Sequence, residues 1–479
     1  MKIHYQEVGM ARLDLRCKAE IPVRVQVGNG GRGVDLEVRT RDIGLNGICL
    51  YPAFNAKENQ KIRLRASFDG LGECEIEGKI LRVADDGIAV KFLNHSRDSK
   101  WLIWNYLKRH IHSGKECLYC HNIITNGEDG RCEHCGMIIN FDEEDFLLTY
   151  EEELLSRWKA FLDEAIEVFL ARMEALKEEY TTLEPEIILK RIDSSITDFL
   201  EKAEIVETNV SDKSLLKNLR YHVLRKTEPV FSQSYCFTRA RTWPQGQQGD
   251  YKTLECAYRK MPLSEGLGYY LDYYILHCRL GEAIRNRIKI LSNLLENELL
   301  QRQNPRILNI ACGSCRELYN LTPQILSSGA RITCIDSDED ALSYAFSRLE
   351  LTGSIKRVTF KKYNALRMFD HELNLIHVGM QDVIYSVGLF DYLETDFLIK
   401  LFNALYRLLN PGGRLIAAFK DASRYRHTMF HWLVDWDGFK QRTEEDFRYI
   451  IHESGIPDDR VSMLRDSTGA IIFYLIDRE

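Results

Sequence analysis

Residues 306–317 read Arg306-Ile-Leu-Asn-Ile-Ala-Cys-Gly-Ser-Cys-Arg-Glu317. An apolar run of strand length ends in a turn of small residues and opens onto a polar stretch that continues as a helix. Ala311, Gly313 and Ser314 give that turn little side-chain bulk, so its backbone can approach a ligand closely. A second apolar run ends in Cys334-Ile-Asp-Ser-Asp338. In an open, mainly parallel α/β sheet, ligands gather at the carboxyl ends of the strands. An acidic group about 20 residues after the first turn accepts the hydrogens of ribose hydroxyls, and Asp336 stands at that place.

The pattern extends outward from these two runs. Strands are expected at 307–311, 331–335, 358–362, 382–386 and 414–419, alternating with amphipathic helices, which is the texture of a doubly wound α/β domain. Tyr363-Asn-Ala365 follows the third strand, where an adenine contact is expected. Ser386 ends the fourth strand, and Leu409-Asn-Pro-Gly-Gly-Arg414 turns into the fifth. Together these segments resemble the class I S-adenosylmethionine-dependent methyltransferases over roughly residues 300–479. The resemblance implies S-adenosylmethionine held by Asn309, Ala311, Gly313, Ser314, Asp336, Asn364, Ala365 and Ser386. Many members carry Asp, Gly and Gly where this chain has Asn309, Ala311 and Cys315. A nicotinamide-binding domain would want a third glycine at Cys315 and has no use for the Asn-Pro-Gly-Gly turn.

Two further segments, Arg239-Ala-Arg-Thr-Trp-Pro-Gln-Gly-Gln-Gln-Gly-Asp250 and Asp382-Val-Ile-Tyr-Ser-Val-Gly-Leu-Phe-Asp-Tyr-Leu393, resemble methyltransferases assigned to synthesis of 3-hydroxypalmitic acid methyl ester. That likeness covers about residues 231–479. It implies carboxyl O-methylation of a small-molecule acceptor, a 3-hydroxy fatty acid. A carboxylate is already a nucleophile, so alignment and water exclusion suffice. Arg239 and Arg241 are the candidate carboxylate-holding cations. Asp391 and Tyr392 are candidate substrate-site residues, and Gln248, Gly249 and Asp250 belong to a candidate lid.

At the other end of the chain, 34–38, Lys61–Phe68, 73–83 and 87–93 read as short strands with Gly or Asp-Asp-Gly turns between them, a small-barrel pattern. Arg12-Leu-Asp-Leu-Arg16 and Asp42-Ile-Gly-Leu-Asn-Gly47 resemble the two PilZ signatures over residues 10–112. The resemblance implies a cyclic di-GMP receptor using Arg12, Arg16, Asp42, Gly44 and Gly47, with Gly44 where the family usually has Ser. Paired arginines suit guanine edges and phosphates. A helix over 96–111 is expected to bury Trp101, Trp104 and Leu107 on one face.

Cys117-Leu-Tyr-Cys120 and Cys132-Glu-His-Cys135 are two Cys-x-x-Cys pairs eleven residues apart. Each pair chelates from a tight turn, and two pairs complete a four-sulfur site. Zinc bound by Cys117, Cys120, Cys132 and Cys135 is the expectation, with iron in a rubredoxin-like site as the alternative and His121 and His134 as non-ligands. The other nine of thirteen cysteines suggest no disulfide framework.

The net charge of −7 is segregated: residues 142–213 carry 21 acidic and 8 basic residues, whereas 1–112 carry 19 basic and 14 acidic. The mild basic excess suits a small anion and argues against a general nucleic-acid binder. A long amphipathic helix is expected over 143–180, with Leu155, Trp158, Leu162, Ala165, Phe169, Met173 and Leu176 on one stripe. The stripe packs either on its own chain or in a coiled-coil homodimer. Further helices are expected near 186–228 and 265–300. No apolar run reaches the ~20 residues of a membrane span, and Met1-Lys-Ile-His-Tyr5 lacks a secretory signal's apolar stretch, so the cytoplasm is expected.

The fold class expected is multidomain, α+β and α/β. A PilZ-like β-barrel (1–112), a zinc ribbon (113–141) and a helical linker (142–230) precede a Rossmann-like methyltransferase with a helical N-terminal extension (231–479). A cyclic di-GMP-responsive enzyme is the leading function. A non-catalytic signalling adaptor that keeps the methyltransferase fold is the alternative.

Overall fold

The computed structural model describes residues 14–27, 34–93, 96–111, 117, 119, 122, 124, 130–139 and 146–479. The chain divides into two compact units. One comprises described residues up to Phe169 together with Asp198–Arg225, the other Leu170–Thr197 together with Lys226–Glu479.

In the first unit, alternating sequence makes half-buried strands. Ile62, Leu64, Ala66 and Phe68 point inward from β5 (Lys61–Phe68), while Lys61, Arg63 and Arg65 point out. With β2 (Pro22–Val27), β3 (Val34–Gly44), β4 (Gly47–Tyr51), β6 (Gly72–Ala84) and β7 (Gly87–Leu93) it closes a six-strand barrel, because β3 pairs with both β2 and β4. A short strand, β1 (Arg16–Lys18), adds to β3 with Arg16 opposite Gly44 and Lys18 opposite Asp42. This antiparallel register brings the two N-terminal signatures together. Helix α1 (Arg97–Ile111) buries Ile103, Trp104 and Leu107, but Trp101 is 59% exposed. Steps of three lag the helical repeat, so Trp101 falls at the edge of a face centred on Ile103 and Trp104.

Three long helices follow: α2 (Phe146–Glu179), α3 (Pro185–Asn209) and α4 (Lys213–Phe231). The expected helical stretch near 186–228 is divided between α3 and α4, and Asp212 before α4 caps it by accepting from the Ser214 and Leu215 N–H groups at 2.8 and 3.0 Å. Of the expected stripe on α2, Trp158, Leu162, Phe169, Met173 and Leu176 are buried within the one chain, while Leu155 and Ala165 are half-buried and Leu154 and Ile166 take the inward positions. The apolar stripe is therefore spent on intrachain packing and is not free for a coiled-coil homodimer.

In the second unit, α5 (Tyr235–Thr242), α6 (Tyr251–Arg259), α7 (Leu267–His277) and α8 (Arg279–Gln301) precede the sheet. The expected 265–300 helix turns at extended Cys278, whose Sγ accepts from Gly281 N–H. The α/β part runs β8 (Arg306–Ile310), α9 (Arg316–Asn320), α10 (Thr322–Ser328), β9 (Arg331–Asp336), α11 (Glu339–Glu350), β10 (Val358–Lys362), α12 (His371–His377), β11 (Gln381–Ser386), α13 (Thr395–Arg407), β12 (Leu409–Lys420), α14 (Thr428–Leu433), α15 (Glu444–Glu453), β13 (Val461–Arg465) and β14 (Ile471–Asp477). The strand order is β10-β9-β8-β11-β12-β14-β13. The first five strands are parallel, and β14 is antiparallel to both neighbours. Leu308, Ile310, Ile384, Leu415 and Phe419 lie at its core. The order reverses between β8 and β11, so the crevice where such sheets bind ligands opens above those two strands.

Candidate active site and receptor face

The turn after β8 is unusual in its backbone. Ala311, Gly313 and Cys315 all have positive φ, at 54°, 52° and 48°. Left-handed backbone costs an L-residue about 1–2 kcal/mol and concentrates where function requires it. The turn is held by its neighbours: Cys312 N–H donates to the Ile335 carbonyl at 3.1 Å and Gly313 N–H to Asp336 Oδ2 at 2.8 Å. The other Asp336 oxygen accepts from Asp338 N–H at 3.0 Å. Burial pushes the Asp336 carboxyl up, opposed by these backbone donors. Ser314 Oγ donates to Glu255 of α6 at 2.7 Å, and Arg348 pairs with the same carboxylate at 2.8 Å.

The expected cofactor residues thus separate by depth. Gly313, Ser314, Asp336 and the backbone of Ala311 form the turn. Asn364, whose side chain caps the following turn at Leu366 N–H, and Ala365 lie just beyond β10, beside Asp336, whose carbonyl accepts from Tyr363 N–H. Asn309 and Ser386 are enclosed beneath the turn. Asn309 donates to Glu317 at 3.0 Å, Tyr385 OH donates to the same oxygen at 2.8 Å, and Ser386 donates to the Ile310 carbonyl at 2.8 Å. The structure therefore brings these two residues to the foundation of the site and not to its surface.

Helix α6, whose Glu255 accepts from Ser314 of the turn, also contributes Thr253, Leu254 and Cys256 to a largely apolar cavity of about 90 Å³. The cavity is bordered by Gly388 after β11, Lys420 at the end of β12, Arg287 of α8, and the aromatic wall Phe430, Trp436 and Phe439. Tyr392 lines it and donates to the Gln248 carbonyl at 3.0 Å, while burial pushes its phenol up. Asp391 accepts from both nitrogens of Lys420. Burial draws the Lys420 ammonium down and Asp391 opposes that shift. Arg239 also lines the cavity but is clamped on both oxygens of Asp250 at 2.8 Å. Arg241 is not brought there. Its guanidinium bonds Leu433, Glu228 and Thr227 and stacks 4.4 Å above Phe231, so it holds helices together. The candidate lid is pinned, since Gln248 accepts from Gly438 N–H at 3.0 Å.

Arg287, Lys420 and the aromatic wall were not singled out by the sequence reading. Lys420 had a legible signal, a cation ending an apolar strand. Arg287 sits in Arg285-Asn-Arg287-Ile-Lys289, which reads as an ordinary solvated helix face.

On the barrel, Arg16 is held by Asp14 and Asp42, each at 3.3 Å. Arg12 lies outside the described residues. A Cβ on Gly44 would stand 2.6 Å from both Asp14 Oδ2 and the Leu15 carbonyl, so a serine cannot fit without moving backbone. At Gly47 the Val90 carbonyl would be met at 2.8 Å. Asp14, Arg16, Leu45, Asn46, Leu81, Lys91 and Lys100 border a cavity of about 320 Å³ whose other walls come from α2 and the chain around 208–218, with Glu151, Glu152 and Asp212 among them. Lys91 donates to the Glu207 and Val210 carbonyls, each at 3.1 Å, at the end of α3. Burial lowers its ammonium to about 8. The Tyr150 phenol of α2, pushed up by burial, hydrogen-bonds the Leu15 backbone and the Asn46 side chain.

Between barrel and helices, the Cys117, Cys132 and Cys135 sulfurs lie within 4.8 Å of one another, with Cys117 and Cys135 3.7 Å apart. Four thiolates at about 2.3 Å around zinc stand about 3.8 Å from each other, so the donor set fits. Cys120 lies outside the described residues. Cys132 N–H donates to the Met137 carbonyl at 2.9 Å and Gly136 N–H to the Cys132 carbonyl at 2.7 Å, forming a tight knuckle.

Comparison with known proteins adds the following. The chain is 25% identical over 134 residues to the demethylmenaquinone methyltransferase of Leptospira interrogans, covering 28% of this chain and 49% of that one. It therefore spans about half the length of the curated relatives it matches. Similar solved structures include a possible exported protein from Bordetella parapertussis, at 17% identity over 62% of this chain and 98% of that one with a TM-score of 0.39. Another is magnesium protoporphyrin IX methyltransferase from Synechocystis PCC 6803 with bound SAM, at 16% identity over 42% of this chain and 84% of that one with a TM-score of 0.31. Two families match directly, and the chain carries a methyltransferase domain at residues 307–413 and a PilZ domain at residues 11–109.

Proposed function

We propose that the chain is a cytoplasmic S-adenosylmethionine-dependent methyltransferase acting on a fatty-acid-like carboxylate, regulated by cyclic di-GMP through its PilZ domain. The observation that carries the reading is that one helix, α6, borders two features: Glu255 accepts from Ser314 of the left-handed turn fastened to Asp336, and Thr253, Leu254 and Cys256 line an apolar, cation-bearing cavity.

Asp336 would hold the ribose hydroxyls and the 311–314 backbone the methionyl part, with Asn364 and Ala365 towards the adenine. When bound, the cofactor would supply an electrophilic sulfonium methyl to a carboxylate oxygen, the C–S electron pair being left on a neutral thioether and the acceptor becoming a neutral ester. The chain needs no base for this. Its aromatic wall excludes water and its cations align the acceptor. The match to the PilZ domain and the convergence of Arg16, Asp42, Gly44 and Gly47 on the barrel support the nucleotide input, and the cysteine knuckle supports a structural zinc.

The test incubates the full chain with methyl-labelled S-adenosylmethionine and 3-hydroxypalmitate and looks for the labelled methyl ester by mass spectrometry. Label in the ester, absent with Asp336→Ala, is expected. No label in this or other aliphatic acids would overturn the substrate assignment.

A further inference from the structure

The lining of the apolar cavity holds three cationic side chains, Arg239, Arg287 and Lys420, and no carboxylate. Two of the cations are neutralised from behind: Arg239 by Asp250 at 2.8 Å and Lys420 by Asp391 at 2.7 Å. Arg287 is different. It is 3% exposed. Its Nη1 donates to the Val387 carbonyl and its Nη2 reaches Tyr258 OH at 3.4 Å. Its Nε has no hydrogen-bond partner, and no carboxylate pairs with it among the described residues.

A buried charge without a counter-ion is costly. Once the two pairs cancel, one positive charge remains in the cavity, so its occupant should carry one negative charge. Leu254, Ile275, Ile284 and the aromatic wall provide an apolar surface for the remainder of that occupant. The Arg287 Nη1 lies 3.9 Å from where a Cβ on Gly388 would stand, two residues past the end of β11. It therefore sits at the strand ends where a doubly wound sheet places its chemistry. The unused Nε–H of Arg287 leaves its guanidinium able to donate to a carboxylate.

We infer that Arg287 is the positioning residue that receives the acceptor's carboxylate, and that the acceptor is a monocarboxylate with an aliphatic tail. This rests on the methyltransferase reading for the word acceptor, but the anion site can be tested without turnover. A volume of about 90 Å³ holds the reacting end of such an acid, so a long tail extends beyond the cavity.

The experiment titrates decanoate and its uncharged isostere decanamide into the full chain saturated with S-adenosylhomocysteine, by calorimetry. Decanoate should bind at least about tenfold more tightly, one decade being 1.4 kcal/mol. Arg287→Gln should erase that preference while leaving S-adenosylhomocysteine affinity unchanged, and Arg287→Lys should keep part of it. Equal binding of acid and amide by the unaltered chain overturns the inference without needing any variant. So does an Arg287→Gln variant that keeps the preference. A folded variant that instead loses S-adenosylhomocysteine would assign Arg287 to the donor's own carboxylate and also overturn it. If decanoate binds through Arg287 yet no acid is ever methylated, the carboxylate site stands and the catalytic reading falls.

Discussion

Asp391 accepts from the Lys420 backbone nitrogen at 3.0 Å and from its ammonium at 2.7 Å, so one carboxylate ties the segment after β11 to the end of β12. Both side chains are buried. Removing one partner strands the other charge, which typically costs about 3–5 kcal/mol, whereas removing both costs far less. Asp391→Asn and Lys420→Met should each lower the stability of the full chain by that order. The double variant should recover part of the loss. Urea unfolding of the four proteins checks this, and strictly additive losses would show the pair to be energetically independent.

The contact from Gly313 N–H to Asp336 makes a second variant informative. Hydrogen bonds to charged groups contribute about 1.5–3 kcal/mol, so Asp336→Ala should weaken S-adenosylhomocysteine binding by at least roughly tenfold. Calorimetric titration measures it, and unchanged affinity would remove Asp336 from the cofactor site.

Glu317 lies buried under the same turn, and burial pushes its carboxyl up to about 7, with its own backbone N–H and Tyr385 opposing. The folded chain then holds a proton that the unfolded chain has already released above its ordinary value of 4.5. The stabilisation is fully present below about 4.5 and is lost as pH rises towards about 7, at up to about 1.4 kcal/mol per pH unit. Glu317→Gln should flatten that part of the profile. Thermal melts of both proteins between pH 5 and 7.5 test it, and parallel profiles would show that Glu317 does not titrate in this window.

The five parallel strands and the Asp336 turn were legible because apolar runs of strand length and a small-residue turn are local signals, whereas the order of the strands and the antiparallel β13 and β14 were not. The barrel register that sets Arg16 beside Asp42 was legible only as two separate motifs, since nothing local states which strands pair. Arg287 was not legible at all. Its significance comes from the absence of a partner in three dimensions, and Asp391 looked like a substrate-site residue until Lys420 was seen to occupy both its oxygens. Likewise, Arg241 shares its helix with Arg239, yet the two guanidinium groups meet different neighbours.

The cysteine knuckle gives a fourth prediction. A segment as short as 113–141 has little apolar core of its own, so metal binding supplies its folding energy. The purified chain should contain one zinc per molecule by elemental analysis. Cys117→Ser or Cys135→Ser should release it and make this segment protease-sensitive. Protein prepared without chelator and free of metal would refute the assignment.

The last prediction concerns communication between the PilZ and methyltransferase domains. On the barrel face, Tyr150 of α2 bonds the backbone at Leu15 and the side chain of Asn46, and Lys91 caps the end of α3. The same cavity is bordered by Arg16, Asn46 and Lys91. A nucleotide entering it must compete with these contacts, so it has unequal affinity for arrangements in which the helices are docked or released. Unequal affinity is the condition for shifting an equilibrium. A coupling of about 1–3 kcal/mol is typical, equivalent to about 5–150-fold in affinity, and it must be reciprocal. Cyclic di-GMP titrated with and without saturating S-adenosylhomocysteine and acceptor should therefore give two different dissociation constants. The same factor should separate S-adenosylhomocysteine affinities measured with and without cyclic di-GMP, and Arg16→Ala should abolish the difference. Identical constants in both titrations would mean that the two domains share a chain but not an equilibrium.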